Sequence, residues 1–568
     1  MTFGAEFVKA IAKYLSKFEG RKLQSVAGVS SFCVLTLGKN QNLLLSFENA
    51  NAGVAILTEE EKKFLLSQSD FLPPIVNAIK SHLIGSTFTS FEQINNDKVL
   101  AINFTRQIGA NFKTRITLIL ELESRHTNLL LVGEDGKIIE AARHFTPEEN
   151  ALRTILPRLP YVTPPSMKGI ALADWIASPS AENLTAVLGF GKTFLEFLAT
   201  LGLPRAKEII ASFEESDFVS FSLGNYTAAL PTSCTLPENI ETCDLEEAMH
   251  RVFEDFATRV VQAKRKKLLK AIDKEVTRRE KQLADIRSLL TETKGEKYKL
   301  WADLITANLW QIDSHGQGEV TLTQYNDDGT TSEVSVPLDV TKSASATAEA
   351  YYKKYKKLRA SKERASVLLA TVEAEKSDLE TERAIAETLT TADELDILAS
   401  ELGVASTPRK RKNTEEQLPY RKITYDDAII FLGLSAKGNR IVTFKLAIPS
   451  DTWFHAEGVP GSHVLLRIAT TVTQERLEEL RAECANLASR YSKARGEAGT
   501  RVDFCQRKYV TAIQGGVANV TYRNFETIKT RVVRKTKDPR LKTQDSRRGV
   551  PPVGTLKAQG SRLGGLSP

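Results

Sequence analysis

A chain of 568 residues is longer than a single hydrophobic core usually supports, so several domains are expected. Hydrophobic residues make up 42% and charged residues 26%, as in an ordinary soluble globular protein, and no stretch approaches the ~20 apolar residues of a membrane span. Five scattered cysteines with no C-x-x-C pair exclude a disulfide framework and a zinc knuckle, and suit a reducing cytosol.

The first twenty residues read as an amphipathic helix of mixed charge without the apolar run of a signal peptide, so a cytoplasmic location is expected. Residues 1–165 mix helix and strand. Strand-like runs fall at 31–38, 42–49, 53–58, 99–105, 114–123 and 128–145, with Glu134-Asp135-Gly136 as a hairpin signal. The Pro-rich stretch 156–165 reads as a linker. Residues 166–244 are expected to be a small helical domain. Its segment Val187-Leu188-Gly189-Phe190-Gly191-Lys192 has the form of a helix-hairpin-helix turn, where glycine amides can meet a phosphate or simply close an αα-corner. Residues 245–402 hold two long polar helices, 245–300 and 346–402, each extending roughly 75–85 Å if unbroken. Between them, 301–345 form a small β-containing module. The simplest arrangement is an antiparallel helical arm with that module at its tip. Residues 403–418 read as a linker and 419–530 as a compact α/β domain, with strands at 429–433, 441–447, 451–456 and 463–469 followed by a helix over 475–495. The remainder, 531–568, reads as a disordered basic tail.

Charge is uneven. The chain carries +7 overall, but from Lys529 onward eleven Lys/Arg face two Asp. Lys264–Gln282 has nine basic and three acidic residues, and Arg409–Lys412 is wholly basic. Such clusters on a near-neutral body are either solvated faces or the footprint of a polyanion, with RNA or DNA favoured over a membrane.

The most distinctive stretch is Asp451–Arg467, DTWFHAEGVPGSHVLLR. It gathers His455, His463, Trp453, Phe454 and a Pro460-Gly461 turn in a strand–turn–strand pattern. Two histidines eight apart without a cysteine are weak metal ligands, so neither a metal nor another cofactor is expected. Trp453 reads as core.

This motif closely resembles the signature of the C-terminal domain of the NFACT family, which includes bacterial fibronectin-binding protein A-like proteins and the nuclear export mediator factor. Further stretches resemble that family in order: 95–104, 123–139, 156–165, 304–312, 337–340, 351–359, 488–495 and 502–510. The resemblance implies a multidomain α+β protein. Its parts would be a β-rich glycosylase-like NFACT-N domain (1–165), a helix-hairpin-helix domain (166–244), a long antiparallel coiled-coil arm (245–402) with its middle module (301–345), and an α/β NFACT-R domain (419–530). It further implies a ribosome-associated quality-control factor, not itself an enzyme. Such a factor binds a stalled large (50S) subunit with peptidyl-tRNA and recruits tRNA, alanyl-tRNA in bacteria. It supports C-terminal alanine tailing that marks the nascent chain for degradation. Ribosomal RNA and a small S4-like protein are implied partners; a membrane is not.

The family's tRNA-binding Asp-Arg pair falls on Asp97 and Lys98, where lysine offers a point charge in place of a bidentate fork. Arg125 and His126 match the family, with Ser124 replacing its usual glycine. PLDV at 337–340 departs from the usual PLDP, as does 72–80 from the family's basic and sulfur-bearing pattern. Thr2 stands where glycosylases of this fold carry their nucleophile, so glycosylase chemistry is not expected. The residues carried forward as tRNA contacts are Asp97, Lys98, Arg125 and His126. Those carried forward as RNA or ribosome contacts are Lys264, Arg265, Lys266, Lys267, His455 and His463; none is expected to be catalytic. For Asp97 and Lys98 the plainer reading is a surface ion pair, with tRNA contact favoured through the resemblance; for Arg125 and His126 a cluster ordering a hairpin is nearly as good a reading; and His455 and His463 read as structural or RNA-contacting. The alternative functions are a fibronectin-binding surface adhesin and a glycosylase-like nucleic-acid binder without tailing activity.

Overall fold

The computed structural model describes residues 2–49, 51–69, 71–107, 109, 112–123, 126–150, 153–165, 168–214, 217–312, 318–326, 328–404, 418–469, 471–497, 499–513 and 516–530. Arg409–Lys412, most of the 403–418 segment and the 531–568 tail lie outside them. The chain divides into two compact units, residues 1–260 and 261–568.

The first unit opens with strand β1 (Thr2–Phe3) and helix α1 (Ala5–Leu15). Phe7, Ile11 and Leu15 recur every four residues on α1 and are buried together. Four antiparallel strands follow in the order β2-β3-β4-β5: β2 (Leu23–Val29), β3 (Phe32–Leu37), β4 (Gln41–Ser46) and β5 (Gly53–Leu57). Helix α2 (Glu59–Leu66) starts at a capping box of Thr58 and Glu61, and α3 (Pro74–Leu83) starts at a proline suited to its first turn. A five-stranded sheet is built from β6 (Thr87–Gln93), β7 (Val99–Gln107), β8 (Lys113–Glu121), β9 (Asn128–Val132) and β10 (Ile138–Ala141), neighbours in sequence being neighbours in space. Next come α4 (Leu172–Ala177), α5 (Lys192–Thr200) and α6 (Leu203–Ala211). Three strands close this part, β11 (Phe218–Leu223), β12 (Tyr226–Pro231) and β13 (Thr242–Asp244).

The strands β11–β13 correct the expectation of a wholly helical segment. Phe218–Leu223 and Tyr226–Pro231 pair antiparallel about a two-residue Gly224-Asn225 loop, with Gly224 at φ 61, and β1 adds to β12 in parallel. One core joins Phe7, Ile11, Leu118, Leu120, Phe194, Ile209 and Ala229, so α1, the five-stranded sheet and the α5–α6 pair are packed as one body.

Helix α7 (Leu245–Thr291) begins in the first unit, where Val252 and Phe253 pack on Val34, Leu44 and Leu57. Its later turns belong to the second unit. The expected single helix to 300 is two helices: α7 ends at Thr291 and α8 (Lys294–Ala307) begins after a two-residue break. A small hairpin, β14 (Glu319–Tyr325) and β15 (Thr331–Pro337), separates α8 from α9 (Ala344–Thr388) and α10 (Ala392–Glu401). α9 runs antiparallel to α7. Arg383 meets Asp273 at 2.8 Å, Arg279 meets Glu375 at 3.0 Å and Arg287 meets Glu373 at 2.8 Å, flanking a seam of Leu283, Ile286, Ala365 and Val372. At the tip, Ala302 and Ile305 of α8 pack with Tyr351 of α9 on Leu322 and Val336 of the hairpin.

The C-terminal sheet has six strands in the order β16-β17-β19-β18-β20-β23: β16 (Tyr420–Thr424), β17 (Ala428–Gly433), β18 (Thr452–Ala456), β19 (Val464–Ile468), β20 (Arg501–Gln506) and β23 (Glu526–Lys529). Between β17 and β18 lies α11 (Ala436–Ile441), continued as a π-helical turn over 442–446. Residues 441–447 were expected to be a strand. Ser435 caps the Gly438 N–H, and Gly438 lies so close to the Pro419 carbonyl that no side chain fits, which favours the helical start over an extended run. Helix α12 (Gln474–Arg490) covers one face, burying Leu480, Cys484 and Ala488 against Phe454, Leu466 and Phe504, together with Leu268, Ile272 and Ile385 of the arm. A short pair, β21 (Val510–Ala512) and β22 (Val520–Tyr522), lies on the other face. The observed architecture is therefore a mixed α and β multidomain chain, β-rich at its N-terminus, with a long helical segment.

Candidate nucleic-acid interface

Asp97 and Lys98 sit in the connection between β6 and β7. The Ile94 N–H donates to the Val99 carbonyl at 2.9 Å and the Asp97 N–H to the Ile94 carbonyl at 3.0 Å. Asn95 and Asn96 are both left-handed, at φ 53 and 52, a conformation asparagine tolerates better than most side chains. Asp97 is only 8% exposed, and its Oδ1 accepts the Lys98 backbone N–H at 2.7 Å. Gln93 Nε2 donates to the Asp97 carbonyl at 2.9 Å and to the Ala5 carbonyl at 2.8 Å, which moors the turn to the start of α1. The two residues therefore differ in kind. Asp97 shapes the turn from within, while no carboxylate partner of the Lys98 ammonium is present among the described residues.

The β8–β9 connection runs alongside. The Leu122 N–H donates to the Lys98 carbonyl at 2.8 Å, and Val99 pairs with Glu121. His126 is exposed, its ring edge-on to Phe145 at 6.2 Å, and Arg125 lies outside the described residues. Beneath this connection Glu121 is buried with the Arg153 guanidinium at 2.5 Å and the Tyr161 hydroxyl at 2.9 Å. Burial and the adjacent carboxylate push the Tyr161 phenol well above its ordinary range. Sequence reading did not find this triad; its members lie 32 and 40 residues from Glu121, and no local pattern joins them.

The 187–192 loop reaches the same turn from the other side. Gly189, at φ 93, backs directly onto Asn96. Of the two glycine amides, that of Gly191 is already taken, donating to Glu6 Oε2 at 2.7 Å.

The second unit treats its candidates differently. His463 is buried; its Nδ1 shares a hydrogen bond with Thr443 Oγ1 at 2.8 Å, and its backbone N–H donates to Asn439 Oδ1 at 2.9 Å. His455 stacks on Trp453 at 5.7 Å and meets the His463 ring edge-on at 5.2 Å. Burial holds the His455 imidazole down to about 4, against a partial pull upward from Asp503. Burial and the neighbouring His455 hold His463 well below the ordinary range. Both rings are neutral at pH 7 and offer a phosphate no charge. Asp503 accepts the Tyr522 hydroxyl at 2.8 Å and Thr527 Oγ1 at 2.6 Å. The ends of the motif meet across β18 and β19, where Arg467 Nη2 lies 2.8 Å from buried Asp451 Oδ2. The Pro460-Gly461 segment is pinned to the end of α12, the Lys493 N–H donating to the Pro460 carbonyl at 2.9 Å.

The basic run on α7 is split. Lys264 pairs with Asp396 at 2.6 Å and Arg265 donates to the Leu389 carbonyl, joining α7 to α10 and the α9–α10 connection. Lys266 and Lys267 are exposed. Among the described residues no group of three His, Cys, Asp or Glu side chains is placed to hold a metal, and no helix is long and apolar enough to cross a membrane.

Residues 7–418 match the family described as NFACT N-terminal and middle domains. The chain belongs to the NFACT family. It is 30% identical over 492 residues to the Rqc2 homolog RqcH of Streptococcus suis, a match covering 82% of this chain and 87% of that protein. It is 23% identical over 549 residues to the Rqc2 homolog RqcH of Bacillus subtilis, covering 88% and 91%. A solved structure, the C-terminal part of the fibronectin/fibrinogen-binding protein from Streptococcus suis, is 24% identical with a TM-score of 0.34, covering 48% of this chain and 95% of that one. The matched family span ends before the Asp451–Arg467 motif. In this NFACT chain Asp97 and Lys98 share one turn and His126 lies on the connection hydrogen-bonded to it through Leu122, whereas the C-terminal histidines lie within their own domain.

Proposed function

We propose that this NFACT chain is a ribosome-associated quality-control factor. It binds stalled large subunits that still hold peptidyl-tRNA and recruits tRNA, alanyl-tRNA foremost, for C-terminal tailing of the nascent chain without mRNA. Peptidyl transfer is the ribosome's chemistry, so the chain acts as a binding factor and not as an enzyme. The observation that carries this reading is the match, over most of both chains, to relatives named Rqc2 homolog RqcH. The Lys98 turn supports it, being a cation without a carboxylate partner among the described residues, on a backbone held by five hydrogen bonds. A phosphate contact needs charge and placement more than a base-reading group. The remaining parts of the reading follow: a glycosylase-like N-terminal fold used for binding, a coiled-coil arm that gives reach across the subunit, a cytoplasmic site of action and a small S4-like protein as co-factor on the ribosome.

Sedimentation of the tagged protein through a sucrose gradient tests it. Co-migration with 50S particles, and enrichment of alanine tRNA in the bound fraction, are expected. Absence from 50S fractions with and without stalled peptidyl-tRNA would sink the reading.

A further inference from the structure

The glycine loop before α5 resembles an anion-binding loop, yet its surroundings leave it little to bind with. Gly191 caps α5 and Gly4 caps α1, neither with a side-chain cap. Glu6 fills the space between these two helix starts. Its Oε2 accepts the Gly191 N–H at 2.7 Å, and its Oε1 accepts the Tyr226 hydroxyl at 2.5 Å. A Cβ at Gly191 would fall 1.9 Å from the Tyr226 hydroxyl, and one at Gly4 would fall 2.2 Å from it, so no side chain fits at either position. A carboxylate thus occupies the place where a helix N-terminus would otherwise attract a phosphate. Gly189, the other glycine, presses on the candidate tRNA turn: a Cβ there would stand 3.3 Å from Asn96 Cβ and 3.8 Å from Asn96 Cγ. Gln93 ties the same turn to the α1 start beside Glu6.

We infer that the 187–192 loop is a buttress for the Asn95–Lys98 turn, with Gly189 a positioning residue for the Lys98 contact with RNA phosphate, and is not itself a phosphate-binding loop. The inference rests on the reading of Lys98 as a tRNA contact. A side chain at position 189 is strained at φ 93 and asks Asn96, two residues from Lys98, to give by a few tenths of an ångström.

The test uses the full chain, labelled bulk tRNA at several salt concentrations, and 50S co-sedimentation in parallel. Gly189→Ala is expected to weaken tRNA binding about as much as Lys98→Ala, with 50S binding unchanged. Adding Asn96→Gly to Gly189→Ala lets the new methyl take the place of the Asn96 Cβ while leaving the φ 93 strain as it is, and is expected to recover binding; no recovery would assign the loss to backbone strain and overturn the inference. Lys192→Ala is expected to leave the salt slope as it is. Normal binding by Gly189→Ala beside a weakened Lys98→Ala would overturn the inference, as would a salt slope lowered by about one unit in Lys192→Ala. Normal binding by Lys98→Ala would overturn the underlying reading instead. Should Gly189→Ala not fold, Asn96→Gly is compared with Asn95→Gly: both free a left-handed turn residue, but only the first removes the Cβ that Gly189 rests on. Weaker tRNA binding by Asn96→Gly than by Asn95→Gly supports the inference, and equal binding overturns it.

Discussion

Asp97 and Lys98 are adjacent in sequence but have separate tasks, and substitutions distinguish them. Lys98→Ala should lower the salt slope of tRNA binding by about one unit, and Lys98→Arg should retain it, since one ammonium-to-phosphate contact releases about one counterion. Asp97→Asn keeps an oxygen for the Lys98 N–H and should be mild. Asp97→Ala loses a hydrogen bond worth about 1 kcal/mol and should loosen the turn, seen as faster amide exchange at Lys98. Sequence alone placed both residues through a resemblance, but described them as one pair. Their division follows from burial, which local sequence does not encode. The two histidines show the same limit: sequence leaves His455 and His463 as either structural or RNA-contacting, and packing makes both neutral interior rings. Their unfolded value is 6.5, and in the fold His455 lies at about 4, so the unfolded chain binds more protons between these values. Stability tied to the two rings is therefore complete above pH 6.5 and is lost as pH falls toward 4. Hydrogen exchange of the 452–468 peptide at pH 7.5 and pH 5 should show protection falling at the lower pH, and His463→Gln should reduce the difference.

At the scale of elements, periodicity found most of the sheet strands and the long helical runs, but not the breaks that divide 245–300 into α7 and α8 and 346–402 into α9 and α10. It failed where a short apolar run had to be assigned by context. Residues 441–447 are as strand-like as 464–468, but Ser435 and the close approach of Gly438 to Pro419 start a helix there. The base of the arm shows another feature invisible to pattern. Asp378 of α9 accepts the Val517 N–H at 2.7 Å, and Glu382, one turn later, accepts the Ala436 N–H at 2.8 Å. Burial pushes the Glu382 carboxyl up to about 8, with Glu401 and Asp378 adding to the rise. A raised acid stabilises the fold while protonated, so this contribution is present below 4.5 and is lost as pH climbs through about 8. Glu382→Gln retains an acceptor without the buried charge, and should raise the thermal midpoint of the second unit at pH 8 more than at pH 5. On α7, Lys264→Ala should destabilise the arm base by removing the Asp396 pair. Lys266→Ala with Lys267→Ala should leave the midpoint unchanged and lower the salt dependence of ribosome binding.

At the scale of the whole molecule, the chain divides into two compact units, with helix α7 running from one into the other. Calorimetry should resolve two transitions, with Glu382→Gln moving only the one that belongs to residues 261–568. The sequence by itself determined the order of elements, the long helical segment, the uneven charge and, through Asp451–Arg467 and its companion stretches, the family. These are local or ordered features, carried by spacing and residue type along the chain. Tertiary structure decided which candidates are exposed, which are neutral, and which meet. Glu6 reaches Gly191 across 185 residues and Tyr226 across 220, and Gly189 finds Asn96 from the far side of a common core. Those pairings are set by how whole layers pack, and no residue in them carries a local signal of its distant partner.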